Sequence, residues 1–157
     1  MNGISIPEAG AIPDGTAVFF EANVSDPDGD QVRLEVELRE YRETFTGSPS
    51  PELISALATN NSIASTPARF GLIRGPYHWR ARTVDSFGAS NDWVEFGTKL
   101  IDFRVGVPVV LVHGWCGSPD HTTWGQMIVL LAQDLFSGDT GMVFFADYKD
   151  DEDEIDT

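Results

Sequence analysis

The clearest pattern in the chain is an alternation. Val32, Leu34, Val36 and Leu38 fall on one side and Arg33, Glu35, Glu37 and Arg39 on the other, a period of two that predicts a strand with one buried face and one solvated face. Before it, Thr16 to Ser25 holds Val18, Phe19, Phe20, Ala22 and Val24 and predicts a short apolar strand. That strand ends in Asp26-Pro27-Asp28-Gly29-Asp30, a dense turn signal. Residues 42 to 68 carry few apolar positions among Thr, Ser, Pro and Asn, which reads as a long connection with one or two poor strands. Order resumes at Ala68 to Ile73, with a turn expected at Gly75-Pro76. The strand after it sets Tyr77, Trp79 and Ala81 on one face, Asp85 to Gly88 turns the chain, and a last strand is expected near Asp92 to Phe103.

After Gly106-Val107-Pro108 the period changes. Val109 to Val112 is continuously apolar, as a parallel strand covered on both faces requires. From Thr123 to about Phe136 the positions of Trp124, Met127, Ile128, Leu130, Leu131 and Leu135 recur at helical spacing, and Ser137-Gly138 closes that helix. Met142 to Ala146 is a second apolar strand, completing a strand, helix, strand order. The expected fold class is therefore an all-β sandwich over residues 1–104 followed by a partial α/β (βαβ) segment over residues 105–157.

The chain is 157 residues long and 41% hydrophobic, enough for a packed core. Its net charge of −15 argues against nucleic acid as a partner, because phosphates require Lys and Arg. Seven of the acidic residues sit in residues 147 to 157 beside a single base, Lys149. The one cysteine, Cys116, excludes an internal disulfide, so the core must hold the sandwich. No apolar run approaches the roughly 20 residues of a membrane span, and residues near Met1 lack the pattern of a signal peptide.

Several chemistry-bearing residue types have plainer readings. Cys116 is the sole thiol and lies near His113, yet no second base or orienting group accompanies it, and it reads as a small buried side chain. His78 is expected on an outer strand face and His121 in a polar loop, so the histidines suggest no metal site. Asp26, Asp28 and Asp30 begin like a calcium loop, but Gln31 stands where an EF-hand needs Gly and a strand follows at once. Turn chemistry explains them better than a turn-bound calcium. Trp79 and Trp93 could form a stacking platform, although strand tryptophans of this kind are expected in a core. No cofactor is expected.

Two resemblances add to this reading. The segments DPDGD with VRLEVELR, GPYHWRAR and VDSFGAS resemble fibronectin type III and related immunoglobulin-like modules, over about 100 residues. The resemblance implies that Tyr77 ties down a loop through its hydroxyl. From Val107 to Tyr148, PVVLVHGWCGSPDHTTW resembles the opening of α/β-hydrolases of the lipase and esterase type. It implies an oxyanion turn at His113 and Gly114, with the backbone N–H of Trp115 as the oxyanion donor. Gly114 suits a close backbone approach to substrate. No G-x-S-x-G occurs in these residues, so they hold no nucleophile, and Ser118 lies in the oxyanion turn.

The resulting expectation is part of a serine hydrolase acting on carboxylic esters or lipids with an accessory sandwich, these residues being inactive alone. The alternative is a non-catalytic binding or spacer module of a secreted or surface protein, and an extracellular or cell-surface setting is preferred. Self-association through an exposed hydrolase segment is a further expectation.

Overall fold

The computed structural model describes residues 5–112, 121–136 and 142–146. The chain forms two compact units, Met1–Gly106 and Val107–Thr157. Among the described residues the fold is mostly β with one short helix.

In the first unit the strands are β1 (Gly10–Ile12), β2 (Glu21–Val24), β3 (Val32–Glu40), β4 (Ser62–Ser65), β5 (Gly75–Asp85), β6 (Val94–Glu95) and β7 (Phe103–Val105). One sheet has the order β1-β7-β5-β3, with β6 also paired to β5, and β2 pairs with β4 in a second. Strands β3 and β5 form the backbone of the unit as an antiparallel pair registered from Val32↔Asp85 to Glu40↔Tyr77. Their inner faces meet the second sheet in one core, which joins Val32, Leu34 and Val36 to Phe20, Val24 and Ala64. This is the arrangement of a β-sandwich.

The alternating segment is the strand it was expected to be, and its apolar face is the buried one. Its other face departs from expectation, because Glu35 and Glu37 are buried as well. The cover comes from the register: Glu35 lies opposite Arg82, and Glu37 opposite Arg80. Each arginine reaches across to its carboxylate, at 2.9 Å and 2.8 Å respectively.

Other boundaries moved. The expected strand over Thr16 to Ser25 narrows to β2, with only an isolated bridge from Val18 to Arg69 before it. No turn separates Gly75-Pro76 from Tyr77, since both residues belong to β5. The expected last strand breaks into β6 and β7. Between them Glu8 accepts hydrogen bonds from the Thr98 and Lys99 amides at 2.6 Å and 2.7 Å, which holds this stretch as a loop tied to the N-terminal segment. In the weak region, β4 forms and Ile54 and Ala58 make single bridges to β3.

The hydroxyl of buried Tyr77 donates to the Ile73 carbonyl at 3.0 Å while its ring stacks on Phe103. Tyr77→Phe keeps the ring contact and removes the tether. It is expected to cost about 1 kcal/mol, read as a lower thermal midpoint; an unchanged midpoint would show the tether to be dispensable.

The second unit contains β8 (Val109–Val112), α1 (His121–Phe136) and β9 (Val143–Ala146). Strands β8 and β9 pair in parallel from Val109↔Val143 to Val112↔Ala146. Helix α1 begins at His121, two residues before the expected start, so His121 belongs to the helix and not to a loop. Among the described residues no helix is long and apolar enough to cross a membrane.

Candidate functional site

Parallel strands need a long return connection, and α1 provides it between β8 and β9. Ala132 of α1 is buried and Ile128 and Leu131 are half-buried, giving the helix one inward stripe. On the strands Val109, Leu111 and Val143 are half-buried. Their alternates Val110 and Phe144 are register partners and remain 57% and 51% exposed.

Strand β8 ends at Val112, and His113, Gly114 and Trp115 follow it in the sequence. Ligands of open α/β sheets bind outside the carboxyl ends of the strands. His113, Gly114, Trp115, Cys116 and Ser118 themselves lie outside the described residues.

The other candidates from the sequence are taken up by structure. On the outer face of β5 the Arg82 guanidinium lies 4.6 Å from the Trp93 ring centroid, and Arg80 lies 5.0 Å from Trp93 and 4.5 Å from Phe45. Phe45 in turn stacks on His78 at 4.2 Å. Trp93 is therefore not a core residue, as had been expected; two guanidiniums hold it on the outer face by cation–π attraction. Trp79 does pack against the core. His78 Nε2 lies 2.9 Å from the Glu43 carbonyl oxygen, a partner that fixes the ring.

Beneath this stack Glu37 is 0% exposed. It accepts from the Thr46 amide at 2.6 Å, the Thr46 hydroxyl at 2.9 Å, the Gly47 amide at 3.2 Å and the guanidiniums of Arg39 and Arg80. Burial alone would raise its pKa, but these donors outweigh burial and bring it down from 4.5 to about 2. The carboxylate is fully committed to the fold.

The DPDGD segment is a self-bonded turn. Asp26 Oδ1 accepts from the Asp28 and Asp30 amides at 2.9 Å and 3.3 Å, and the Asn60 side chain bonds the Asp26 backbone. Among the described residues no group of three or more His, Cys, Asp or Glu is placed to hold a metal.

A second site was not anticipated from the sequence. A cleft of about 400 Å³ in the first unit is lined by Phe20, Trp79, Phe96, Glu21 and Asp102. Trp79 anchors its aromatic wall, with Phe96 stacked on it and Phe20 tilted against it, each at 4.6 Å. Asp102 is 3% exposed. Its Oδ2 accepts from the Trp79 amide at 2.7 Å, while its Oδ1 is buried with no hydrogen-bond partner. Burial pushes its carboxyl above the ordinary range; the Trp79 amide and His78 oppose this, and Glu8 and Glu95 add to it. The signal in the sequence was faint: one acid between Ile101 and Phe103 in an apolar run.

No protein-family model, curated protein or solved structure matches this chain.

Proposed function

We propose that residues 105–157 are the opening strand, oxyanion turn and helix of a serine hydrolase of the lipase and esterase type, acting on carboxylic esters or lipids. In this proposal the preceding residues are an immunoglobulin- or fibronectin-III-like accessory module. The observation that carries the first part is the parallel pairing of β8 with β9 through α1, with His113-Gly114 directly following β8.

The chemistry follows from that position. When a nucleophile attacks an ester carbonyl, its oxygen becomes an oxyanion, and a preorganised backbone N–H lowers the energy of that charge. Trp115 supplies this N–H, and Gly114 leaves room for the substrate to approach. His113 belongs to the turn. The nucleophile would come from a G-x-S-x-G elbow, followed in chain order by an acid and a His.

The accessory reading is supported by strand order and by the tether. Immunoglobulin-type sandwiches divide their strands so that the second and fifth share one sheet and the third, sixth and seventh the other. Here β2 pairs with β4 while β3, β5 and β7 share the other sheet, which differs from that division in also holding the first strand, β1, paired to β7, and Tyr77 bonds back to Ile73.

The test has two parts. The 157-residue chain, with no G-x-S-x-G, should release chromophore from a short-chain chromogenic ester only at the buffer rate. Turnover that survives repurification and vanishes in Cys116→Ala would overturn the oxyanion-only role. Coding sequence beyond Thr157 that carries the elbow and a later His would uphold the hydrolase reading, and a stop codon there would overturn it.

A further inference from the structure

The cleft beside Trp79 is independent of the hydrolase proposal, since every residue lining it belongs to the first unit. Its size falls within the range of small-molecule pockets, about 300 to 1,000 Å³. Its chemistry is lopsided. The described lining contains two carboxylates, Asp102 and Glu21, several aromatic rings and no basic side chain.

A buried carboxylate oxygen with no donor is costly, because the solvation it loses is not replaced. Asp102 Oδ1 is in that position, while Oδ2 is already held by the Trp79 amide. What the site lacks is a donor, and a positively charged donor would also satisfy the local excess of negative charge. Aromatic faces attract the same kind of group. The Phe96 ring is 38% exposed beside the cleft and can receive the apolar body of a ligand.

From these features we infer that the cleft is a binding site for a small organic ammonium, a primary amine on an apolar or aromatic body, whose N–H donates to Asp102 and whose body lies against Phe96 and Trp79. A neutral ligand of the same shape would gain the aromatic contact without the charge. An anion would meet two carboxylates.

Benzylamine and its neutral counterpart benzyl alcohol separate these cases. In amide-resolved NMR of the whole chain, benzylamine should shift the Trp79 amide saturably, with a Kd on the order of 1 mM, as suits so small a ligand. Benzyl alcohol should bind at least about tenfold more weakly, a difference of about 1.4 kcal/mol. Asp102→Asn should remove the preference for the amine. If that variant does not fold, the exposed positions carry the test: Phe96→Ala should weaken both ligands, and Glu21→Gln should weaken the amine alone. Equal binding of amine and alcohol, or no shift at Trp79 up to about 10 mM amine, would overturn the proposal.

Discussion

Glu37→Gln is expected to lower the unfolding free energy of the first unit by about 3 kcal/mol, as removal of one partner from a buried ion pair commonly does. The amide keeps the shape of the side chain and loses its charge, leaving Arg80 and Arg39 facing a neutral group. It also weakens the bonds from Thr46 and Gly47 that fasten the loop after β3. Arg80 is only 17% exposed and cannot simply turn to water. Urea unfolding should show a lower midpoint with an unchanged slope; a variant within about 0.5 kcal/mol of the parent, the scale of ordinary surface changes, would overturn this account.

The same residue sets a dependence on pH. The folded pKa of Glu37 is depressed from 4.5 to about 2, so its contribution is fully present above about pH 4.5 and is lost as the pH falls toward 2. The depression corresponds to a contribution on the order of 3 kcal/mol. The parent should lose stability over that window more steeply than Glu37→Gln. Parallel acid titrations of the two proteins would show that Glu37 is not the group responsible.

How far the sequence reveals this molecule depends on the distance over which each feature is determined. The period of Val32 to Leu38 is local and locates both strand and core face. The fate of Glu35 and Glu37 is not local, because their cover comes from Arg80 and Arg82 more than forty residues later. The position of Trp93 was illegible for the same reason: its partners are two guanidiniums on a neighbouring strand. Strand β1 has only three residues and exists through its parallel pairing with β7, so no periodicity could announce it. Asp102 stands out only when Trp79 is brought beside it by β5 and β7. The continuous apolar runs of β8 and β9 were legible as strands, but the cover on both faces that such runs predict is absent among the described residues, where Val110 and Phe144 are exposed. His113, Gly114 and Trp115 were identified by motif resemblance, and their geometry lies outside the described residues.

The second unit should exchange its backbone amides far faster than the first. Free energies of local opening range from near zero to the full stability of a domain, according to how much apolar surface each opening exposes. Opening β3 breaks its ladder with β5 and uncovers Val32, Leu34 and Val36 at the centre of the core. Opening β8 breaks pairing with β9 alone among the described strands, and Val110 and Phe144 are exposed before it opens. On α1, Met127, Val129 and Leu130 are exposed too, so the helix gains little burial beyond its inward stripe. A difference of about 4 kcal/mol in opening free energy corresponds to roughly a thousandfold in exchange. Hydrogen exchange on the whole chain, run across a range of protein concentrations, should therefore show Val109 to Val112 and Val143 to Ala146 exchanging about a thousandfold faster than Val32 to Leu38 in the dilute monomer. Protection that appears in β8 and β9 only at high concentration would identify self-association through the exposed Val110 and Phe144 face. Equal protection of β3 and β8 in the monomer would mean that the second unit is stabilised as fully as the sandwich, and the inference from its exposed apolar residues would fail.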